Sequence, residues 1–193
     1  MFKLDKNMQF INIDQNYLQE LHKVCPEVYY KSTNYNNKPY IGILVNNDDK
    51  QYVIPLSSAK EKHKTWKNVN QECFLVYEYA DEAKMGKKDI WVRETEGEKV
   101  KHILSMIDVK KMIPIKEGLY SVVNMNKQNS DTKEISQYKD LLNKEYAFCL
   151  KIMDDVTRKA NKLYEKQMKT KKVAKFSCNF EVLEQVCDTY PLF

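Results

Sequence analysis

Tyr40-Ile-Gly-Ile-Leu-Val45 and Tyr52-Val-Ile-Pro-Leu56 flank Asn46-Asn-Asp-Asp49, and this pattern is the clearest indication of fold class in the chain. The outer runs are rich in β-branched and aromatic residues, which favour strands, whereas Asn and Asp favour turns. The pattern therefore predicts a β-hairpin. In an antiparallel hairpin the start of one strand lies beside the end of the next, so residues before Tyr40 are expected near residues after Leu56.

Further strands are predicted on both sides of this hairpin, at residues 10–13, 73–79, 103–107 and 112–115. Asp14 is expected to cap a helix whose Tyr17, Leu18 and Leu21 share one face. Residues 25–38 are polar and rich in turn formers, and we interpret them as an ordered loop.

The C-terminal third has a helical pattern. Its apolar positions recur at helical spacing and predict either two long helices or one helix with a break: Ile135, Tyr138, Leu141, Leu142, Tyr146, Cys149, Leu150, Val156, Ala160, Leu163 and Met168. Asn179 is expected to cap a final helix. Together these elements predict an α+β fold, in which a small twisted antiparallel sheet or barrel is followed by packed helices.

The chain has 193 residues, of which 42% are hydrophobic, and this predicts a single domain over residues 1–193. Residues 81–101, called the charged segment below, contain Gly86 and Gly97 and are expected to leave the core, with a small hairpin around residues 90–92. No apolar run approaches the roughly 20 residues needed to span a bilayer, and no secretory signal is visible, so a cytoplasmic protein is expected. Five scattered cysteines without a C-x-x-C pair favour reduced, buried thiols over a zinc site.

Positive charge is concentrated locally, although the net charge is only +5. Residues 157–175 contain eight basic residues and Glu165 as their only acidic one, and residues 60–67 contain four lysines beside His63 and Trp66. A run of charge is often only a solvated helix face, but two basic clusters, one interleaved with aromatic residues, favour a polyanion such as RNA. The candidate RNA contacts are His63, Lys62, Lys64, Trp66, Tyr40, Arg158, Lys162, Lys166, Lys169 and Lys172.

The candidate chemistry lies at residues 57–63, the Ser–Lys turn, where Ser57, Ser58, Lys60 and His63 follow the end of a predicted strand. The hairpin geometry places Lys38 beside this turn, and two neighbouring lysines would together favour a bound phosphate. The alternative is that both serines only cap a turn whose lysines lie in solvent.

Two other functions fit parts of this pattern. Ser57-x-x-Lys60 matches the nucleophile motif of some β-lactamases, but the S-D-N and K-T-G partners of that motif are absent from the sequence. A non-catalytic RNA-binding module would explain the lysines and aromatic residues, but it would leave the clustered Ser, Lys and His side chains unexplained.

The sequence resembles the ToxN/AbiQ family, the endoribonuclease toxins of type III toxin–antitoxin and phage-defence systems. The resemblance covers nearly the whole chain, and the segments that carry it are Lys38-Pro-Tyr-Ile-Gly42, Pro55-Leu-Ser-Ser-Ala-Lys60-x-x-His63, Ile107-Asp-Val-Lys-Lys-Met-Ile-Pro-Ile115, Asn124-Met125, residues 138–151, Ser177-Cys-Asn-Phe180 and Leu183-Glu184. It implies a sheet core similar to that of MazF/Kid-type toxins and cleavage of single-stranded RNA at A-rich sites without metal or other cofactor. It also implies inhibition by a small pseudoknot-like RNA antitoxin, which the toxin processes, in closed protein–RNA assemblies; neither DNA nor a membrane is an expected partner.

The resemblance also implies residue roles. Ser58 matches the principal catalytic serine, Ser57 stands where relatives often have threonine, and Lys38 and Lys60 match the active-site lysines. Tyr35 is a shifted equivalent of the family's tyrosine, since it lies three residues before Lys38 instead of four. Which group acts as general base and which as general acid stays open at this point.

Overall fold

The computed structural model describes residues 1–4, 8–30, 39–45, 50–94 and 97–192, and the side chains of residue 4 and residues 43–45 are not described. The architecture is α+β, as predicted, with antiparallel strands first and the longest helix in the C-terminal third. The strands are β1 (Lys3–Leu4), β2 (Phe10–Ile13), β3 (Tyr40–Val45), β4 (Gln51–Ser58), β5 (Val69–Asn70), β6 (Cys73–Asp81), β7 (Ile90–Val92), β8 (Lys99–Asp108), β9 (Ile113–Ile115) and β10 (Tyr120–Val122). The α-helices are α1 (Gln15–Val24), α2 (Lys133–Thr170) and α3 (Phe180–Thr189).

The described chain forms two compact units, the first made of residues 1–56, 108–123 and 154–193. Its antiparallel strands lie in the order β10-β2-β3-β4, with β1 paired to β3 and β9 paired to β4. The predicted hairpin is confirmed, because Tyr40 lies opposite Pro55 and Val45 opposite Gln51. The register shifts between Ile41 and Leu44, where Gly42 has a φ of 64°, a left-handed conformation that costs glycine no steric penalty.

Predicted caps define the shorter helices. The Asp14 carboxylate accepts a hydrogen bond from the backbone N–H of Tyr17 at 2.8 Å and begins α1, and the Asn179 side chain accepts from the N–H of Val182 at 3.4 Å and begins α3. The side chain of Gln167, on α2, binds the start of α3 at two points. Its Nε2 donates to the carbonyl of Cys178 at 3.0 Å, and its Oε1 accepts from the N–H of Phe180 at 2.7 Å.

Helix α2 is unbroken over 38 residues, so the expectation of two helices or a break was wrong. The segment contains neither Gly nor Pro, and nothing in its backbone chemistry therefore interrupts the helix. It ends where Lys171 adopts a φ of 54°, the left-handed conformation common just after a helix.

The second unit comprises residues 57–107 and 124–153. Strand β6 lies between β5 and β8, and β7 pairs with β8 so that Ile90 lies opposite Ile103. The predicted hairpin around residues 90–92 is therefore confirmed. Its centre is a hydrophobic cluster, called the second-unit core, that consists of Cys73, Leu75, Ile103 and Met106, with Ala59, Trp66, Tyr77 and Ile90 packed against it.

All five cysteines are buried and free of disulfides, as the sequence suggested. Within the described residues, no helix combines the length and apolar character required to cross a membrane. The structure does not test the prediction of a single domain, which stays a prediction.

Candidate active site

The Ser–Lys turn begins at the end of β4, and its first side chains point alternately towards solvent and towards the interior. Ala59 packs against the second-unit core, whereas Ser58 and Lys60 are exposed and Ser57 is half-buried. The backbone at Lys60 is extended, with φ −137° and ψ 157°. Because successive side chains of an extended chain point to opposite faces, the inward Ala59 directs Ser58 and Lys60 towards solvent.

His63, the last residue of the turn, lies in the 3-10 helix Glu61–Thr65, and only 1% of it is exposed. The backbone N–H of Lys60 donates to His63 Nδ1 at 3.1 Å. The His63 and Trp66 rings lie 4.7 Å apart, and Trp66 packs on the second-unit core. His63 therefore connects the backbone of the exposed Lys60 to a packed interior.

The electrostatics of His63 favour the neutral ring. Burial, and then the charges of Lys62 and Lys60, lower the pKa of His63 below its ordinary value. Since Nδ1 accepts the Lys60 N–H, the proton of the neutral ring is on Nε2, which is buried and finds no partner among the described residues. The His63 side chain is thus buried in the protein alone, and its direct contact with RNA stays a prediction.

Trp66 and Tyr40, the other aromatic candidates for RNA contact, do not present an exposed ring on which a base could stack. Trp66 is half-buried, and the Lys62 Nζ lies 5.2 Å from its ring centroid. Tyr40 is 3% exposed, and its hydroxyl donates to the Tyr29 carbonyl at 3.4 Å. Tyr40 therefore packs in the core of the first unit, where burial raises the pKa of its hydroxyl, and its contact with RNA stays a prediction.

The lysines in the turn and directly after it differ in whether a carboxylate pairs with them. Lys64 Nζ lies 2.9 Å from the Glu61 carboxylate, whereas Lys62 is exposed over Trp66. Within the described part of the chain, no carboxylate lies within ion-pair distance of Lys60. Among the described residues, Lys60 and Lys62 are thus the lysines of this turn that no carboxylate neutralises.

Lys38 and Tyr35 lie outside the described residues, so their predicted placement rests on the sequence alone. The nearest described neighbour is Pro39, whose carbonyl accepts a hydrogen bond from the N–H of Leu56 at 3.2 Å. The described end of this segment therefore lies opposite Leu56, two residues before Ser58.

The basic residues of α2 form an exposed face. Arg158, Lys162, Lys166 and Lys169 recur at three- and four-residue spacing, are all exposed, and are called the basic face below. Arg158 is paired with Asp155. Lys172 lies beyond the end of α2 at Thr170, so it is not part of the basic face, and its contact with RNA stays a prediction.

A polar cluster in the first unit was not predicted. Buried Lys111 pairs with Glu27 and lies 5.8 Å from the ring of Tyr29, whose hydroxyl donates to Asp108 at 3.1 Å. In the sequence, segment 107–115 carries a predicted strand and a family resemblance, and no spacing connects it to residues some 80 positions away. Among the residues that the structure describes, no group of three or more His, Cys, Asp or Glu side chains is placed to hold a metal ion.

Comparison with known proteins identifies the family. The family model described as toxin ToxN of type III toxin–antitoxin systems matches residues 9–188. Endoribonuclease ToxN from Bacillus thuringiensis subsp. kurstaki is 26% identical over 95% of this chain and 84% of its own length. Endoribonuclease ToxN from Pectobacterium atrosepticum is 26% identical over 92% of this chain and 91% of its own length.

Solved structures share the fold. The toxin of a type III system that is selectively inhibited by a non-coding RNA pseudoknot matches with a TM-score of 0.70 and 23% identity, covering 96% of this chain and 98% of that toxin. AbiQ, a lactococcal anti-phage endoribonuclease of a type III system, matches with a TM-score of 0.68 and 20% identity, covering 96% of this chain and 98% of AbiQ. The match of the family model over nearly the whole chain shows that this protein belongs to the ToxN family of type III toxin–antitoxin toxins.

Proposed function

We propose that this chain is an endoribonuclease toxin that cleaves single-stranded RNA without a metal ion and is held inactive by a small structured RNA antitoxin. The curated relatives are named endoribonucleases, and one solved neighbour is inhibited by an RNA pseudoknot. The observation that carries the proposal is the Ser–Lys turn: Ser58 and Lys60 are presented to solvent, while Ala59 and His63 hold the intervening backbone from inside.

The proposed reaction is an internal transesterification. The ribose 2′-oxygen attacks the adjacent phosphorus and loses its proton to a base, the bond between phosphorus and the 5′-oxygen breaks, and the leaving 5′-oxygen receives a proton. The products are a 2′,3′-cyclic phosphate and a 5′-hydroxyl. Negative charge grows on the non-bridging oxygens, so fixed hydrogen-bond donors and cations lower the barrier.

The residues present can supply these donors. Ser58 would contact the scissile phosphate, Lys60 together with Lys38 would stabilise the phosphorane, and Ser57 would fix the geometry. His63 is buried, so we assign it a positioning role and not a role in proton transfer. Tyr35 and the active-site lysines remain as proton-transfer groups.

The basic face offers a second RNA contact. Its four side chains are exposed on one side of α2, where they would follow the phosphate backbone of the antitoxin. In this proposal the antitoxin also covers the Ser–Lys turn in a closed protein–RNA assembly, and the toxin processes it. Cleavage at A-rich sites in messenger RNA would place the activity in the bacterial cytoplasm.

A non-catalytic RNA-binding module is the second candidate, supported by the exposed lysines alone. The two are separated by incubating the purified protein with total RNA in EDTA and mapping the ends of the products. Discrete fragments with 2′,3′-cyclic phosphate ends are expected. RNA that is retained by the protein but remains intact would overturn the enzymatic proposal in favour of the binding module.

A further inference from the structure

The charged segment packs directly beside the Ser–Lys turn. Strand β7, within this segment, lies against the 3-10 helix Glu61–Thr65. Ile90 packs on the second-unit core, on which Ala59 and Trp66 of the turn region also pack. The charged segment and the turn are therefore supported by the same interior, and the segment is part of the surroundings of Ser58.

A cavity of about 440 Å³ lies where these two segments meet. Glu61 and Lys64 line it on the side of the turn, and Met85, Asp89 and Trp91 line it on the side of the charged segment, together with Glu82. Ile90 is directed into the second-unit core, so alternation along β7 directs its neighbour Trp91 to the opposite face, where this cavity lies. Its volume falls in the roughly 300–1,000 Å³ range of small-ligand sites.

The position of the cavity connects it to the chemistry. Glu61 follows Ser58 by three residues, so no more than about 11 Å of chain separates the cavity wall from the proposed catalytic serine. A nucleotide next to the scissile phosphate can therefore reach the cavity.

The chemistry of the walls favours a base over a phosphate. Trp91 and Met85 supply an aromatic and an apolar surface. Each nearby carboxylate already has a partner: Glu61 pairs with Lys64 at 2.9 Å, Glu82 pairs with Arg93, and Asp89 accepts the N–H of Gly86 at 2.7 Å. Lys64 and Lys87 also line the cavity and nearly balance its three carboxylates, so the preference for a base rests on the surfaces of Trp91 and Met85. An ionised carboxylate has two oxygens and several lone pairs, so each retains capacity to accept a further hydrogen bond.

We propose that this cavity binds a nucleobase flanking the scissile phosphate, stacked on Trp91, and that it favours bases with an exocyclic amino group over uracil. Carboxylates accept hydrogen bonds from such amino groups, as they do from cytosine N4, and uracil has none. The inference rests on the proposed RNA cleavage, and it assigns to this cavity the choice of the nucleotide next to the cut.

The test compares cut sites in total RNA for wild type, Trp91→Ala, Trp91→Phe and the control Tyr79→Ala. Tyr79 is an exposed aromatic residue of the same unit that does not line this cavity. Wild type should disfavour uridine at one position flanking the cut, and Trp91→Ala should lose this bias. With a short RNA of the preferred sequence, kcat/KM of Trp91→Ala should fall about tenfold, mainly through KM, because stacking on the base is lost. Trp91→Phe retains an aromatic ring and should lose less of the bias and the rate than Trp91→Ala, whereas Tyr79→Ala should keep both.

An active Trp91→Ala protein with the wild-type cut-site bias would overturn the inference while leaving the proposed function intact. Intact RNA with wild-type protein would overturn both. If Trp91→Ala fails to fold, the fluorescence of Trp91 supplies the test, because Trp66→Phe leaves Trp91 as the only tryptophan. Uncleavable 2′-O-methyl RNA oligomers of A or C should quench it at lower concentrations than oligomers of U, whereas equal quenching, or none, would contradict the inference.

Discussion

The backbone N–H of Lys60 donates a hydrogen bond to Nδ1 of His63, and 3.1 Å separates the two nitrogens. This bond joins the exposed lysine of the Ser–Lys turn to a side chain that is almost completely buried. A catalytic lysine on a free loop would sample many positions, whereas a backbone fixed from beneath keeps its position. The bond therefore gives His63 a function that requires no contact with RNA.

Replacement of His63 should affect stability as well as activity. In His63→Ala the Lys60 N–H loses its acceptor and a cavity opens beside Trp66, so the free energy of unfolding should fall by about 2–4 kcal/mol. Urea denaturation measures this change, and Lys67→Ala, at an exposed lysine of the same basic cluster, serves as the control with an expected change of less than about 0.5 kcal/mol. Wild-type stability in His63→Ala would indicate that His63 is not a structural support.

The pH dependence of the free energy of unfolding should also report the burial of His63. Burial, together with Lys62 and Lys60, lowers the pKa of His63 in the folded state below the ordinary value of 6.5. Between the two pKa values, the unfolded chain binds a proton at His63 that the folded chain does not bind. The contribution of His63 to stability is therefore complete above about pH 6.5 and is lost as the pH falls towards the folded-state pKa. Stability measured from pH 7.5 to 5 should decline less steeply in His63→Asn than in wild type. Parallel curves would contradict the burial of a neutral ring.

The basic face should matter more for the antitoxin than for a short substrate. Reversing Lys162, Lys166 and Lys169 to Glu should weaken binding of a folded antitoxin RNA strongly and should lower the salt dependence of binding, since each phosphate contact contributes about one unit to the salt slope. Cleavage of a short RNA should change much less. Equal losses of binding and cleavage would argue against separate roles.

The matched control for the basic face reverses three exposed lysines elsewhere, Lys3, Lys88 and Lys133. This variant has the same net charge as the triple variant of the basic face. A similar loss of antitoxin binding in both would mean that only overall charge matters, and the basic face would then have no specific role.

Glu184 should be a structural residue of the first unit. Its Oε1 accepts hydrogen bonds from the hydroxyls of Tyr52 and Tyr164, each at 2.8 Å, and Tyr52 is fully buried. Glu184→Ala leaves both hydroxyls without this acceptor and should lower the free energy of unfolding by about 2–4 kcal/mol. Glu184→Gln keeps an acceptor oxygen and should cost less. Similar stabilities of the Ala and Gln variants, measured in urea, would refute this assignment.

Local chemistry in the sequence predicts much of this fold. The hairpin follows from its Asn- and Asp-rich turn and β-rich flanks, and the ends of α1 and α3 follow from the caps Asp14 and Asn179. The predicted break in α2 was wrong, because the segment contains no Gly or Pro that would interrupt a helix. The Ser–Lys turn was found because its residues are neighbours in the sequence.

Burial at the site could not be predicted in the same way. His63 and Tyr40 both have an aromatic ring with a polar group. The sequence alone does not distinguish an exposed ring of this kind, available to RNA, from one that packs in the core. In the folded protein the His63 ring contacts Trp66, and the Tyr40 hydroxyl donates to the Tyr29 carbonyl. The cavity beside Trp91 likewise depends on the pairing of β7 with β8, which brings the charged segment back to the sheet.

The most direct test of the catalytic proposal is the single-turnover cleavage rate of a short RNA by Ser58→Ala in EDTA. Ser58 is exposed at the end of β4, so its loss should leave the fold intact, which circular dichroism and urea denaturation verify. Ser130→Ala, at another exposed serine of the same unit, is the control and should cleave like wild type. The account predicts that Ser58→Ala cleaves about 10²–10³ times more slowly than wild type; a folded Ser58→Ala protein that cleaves at nearly the wild-type rate would contradict it.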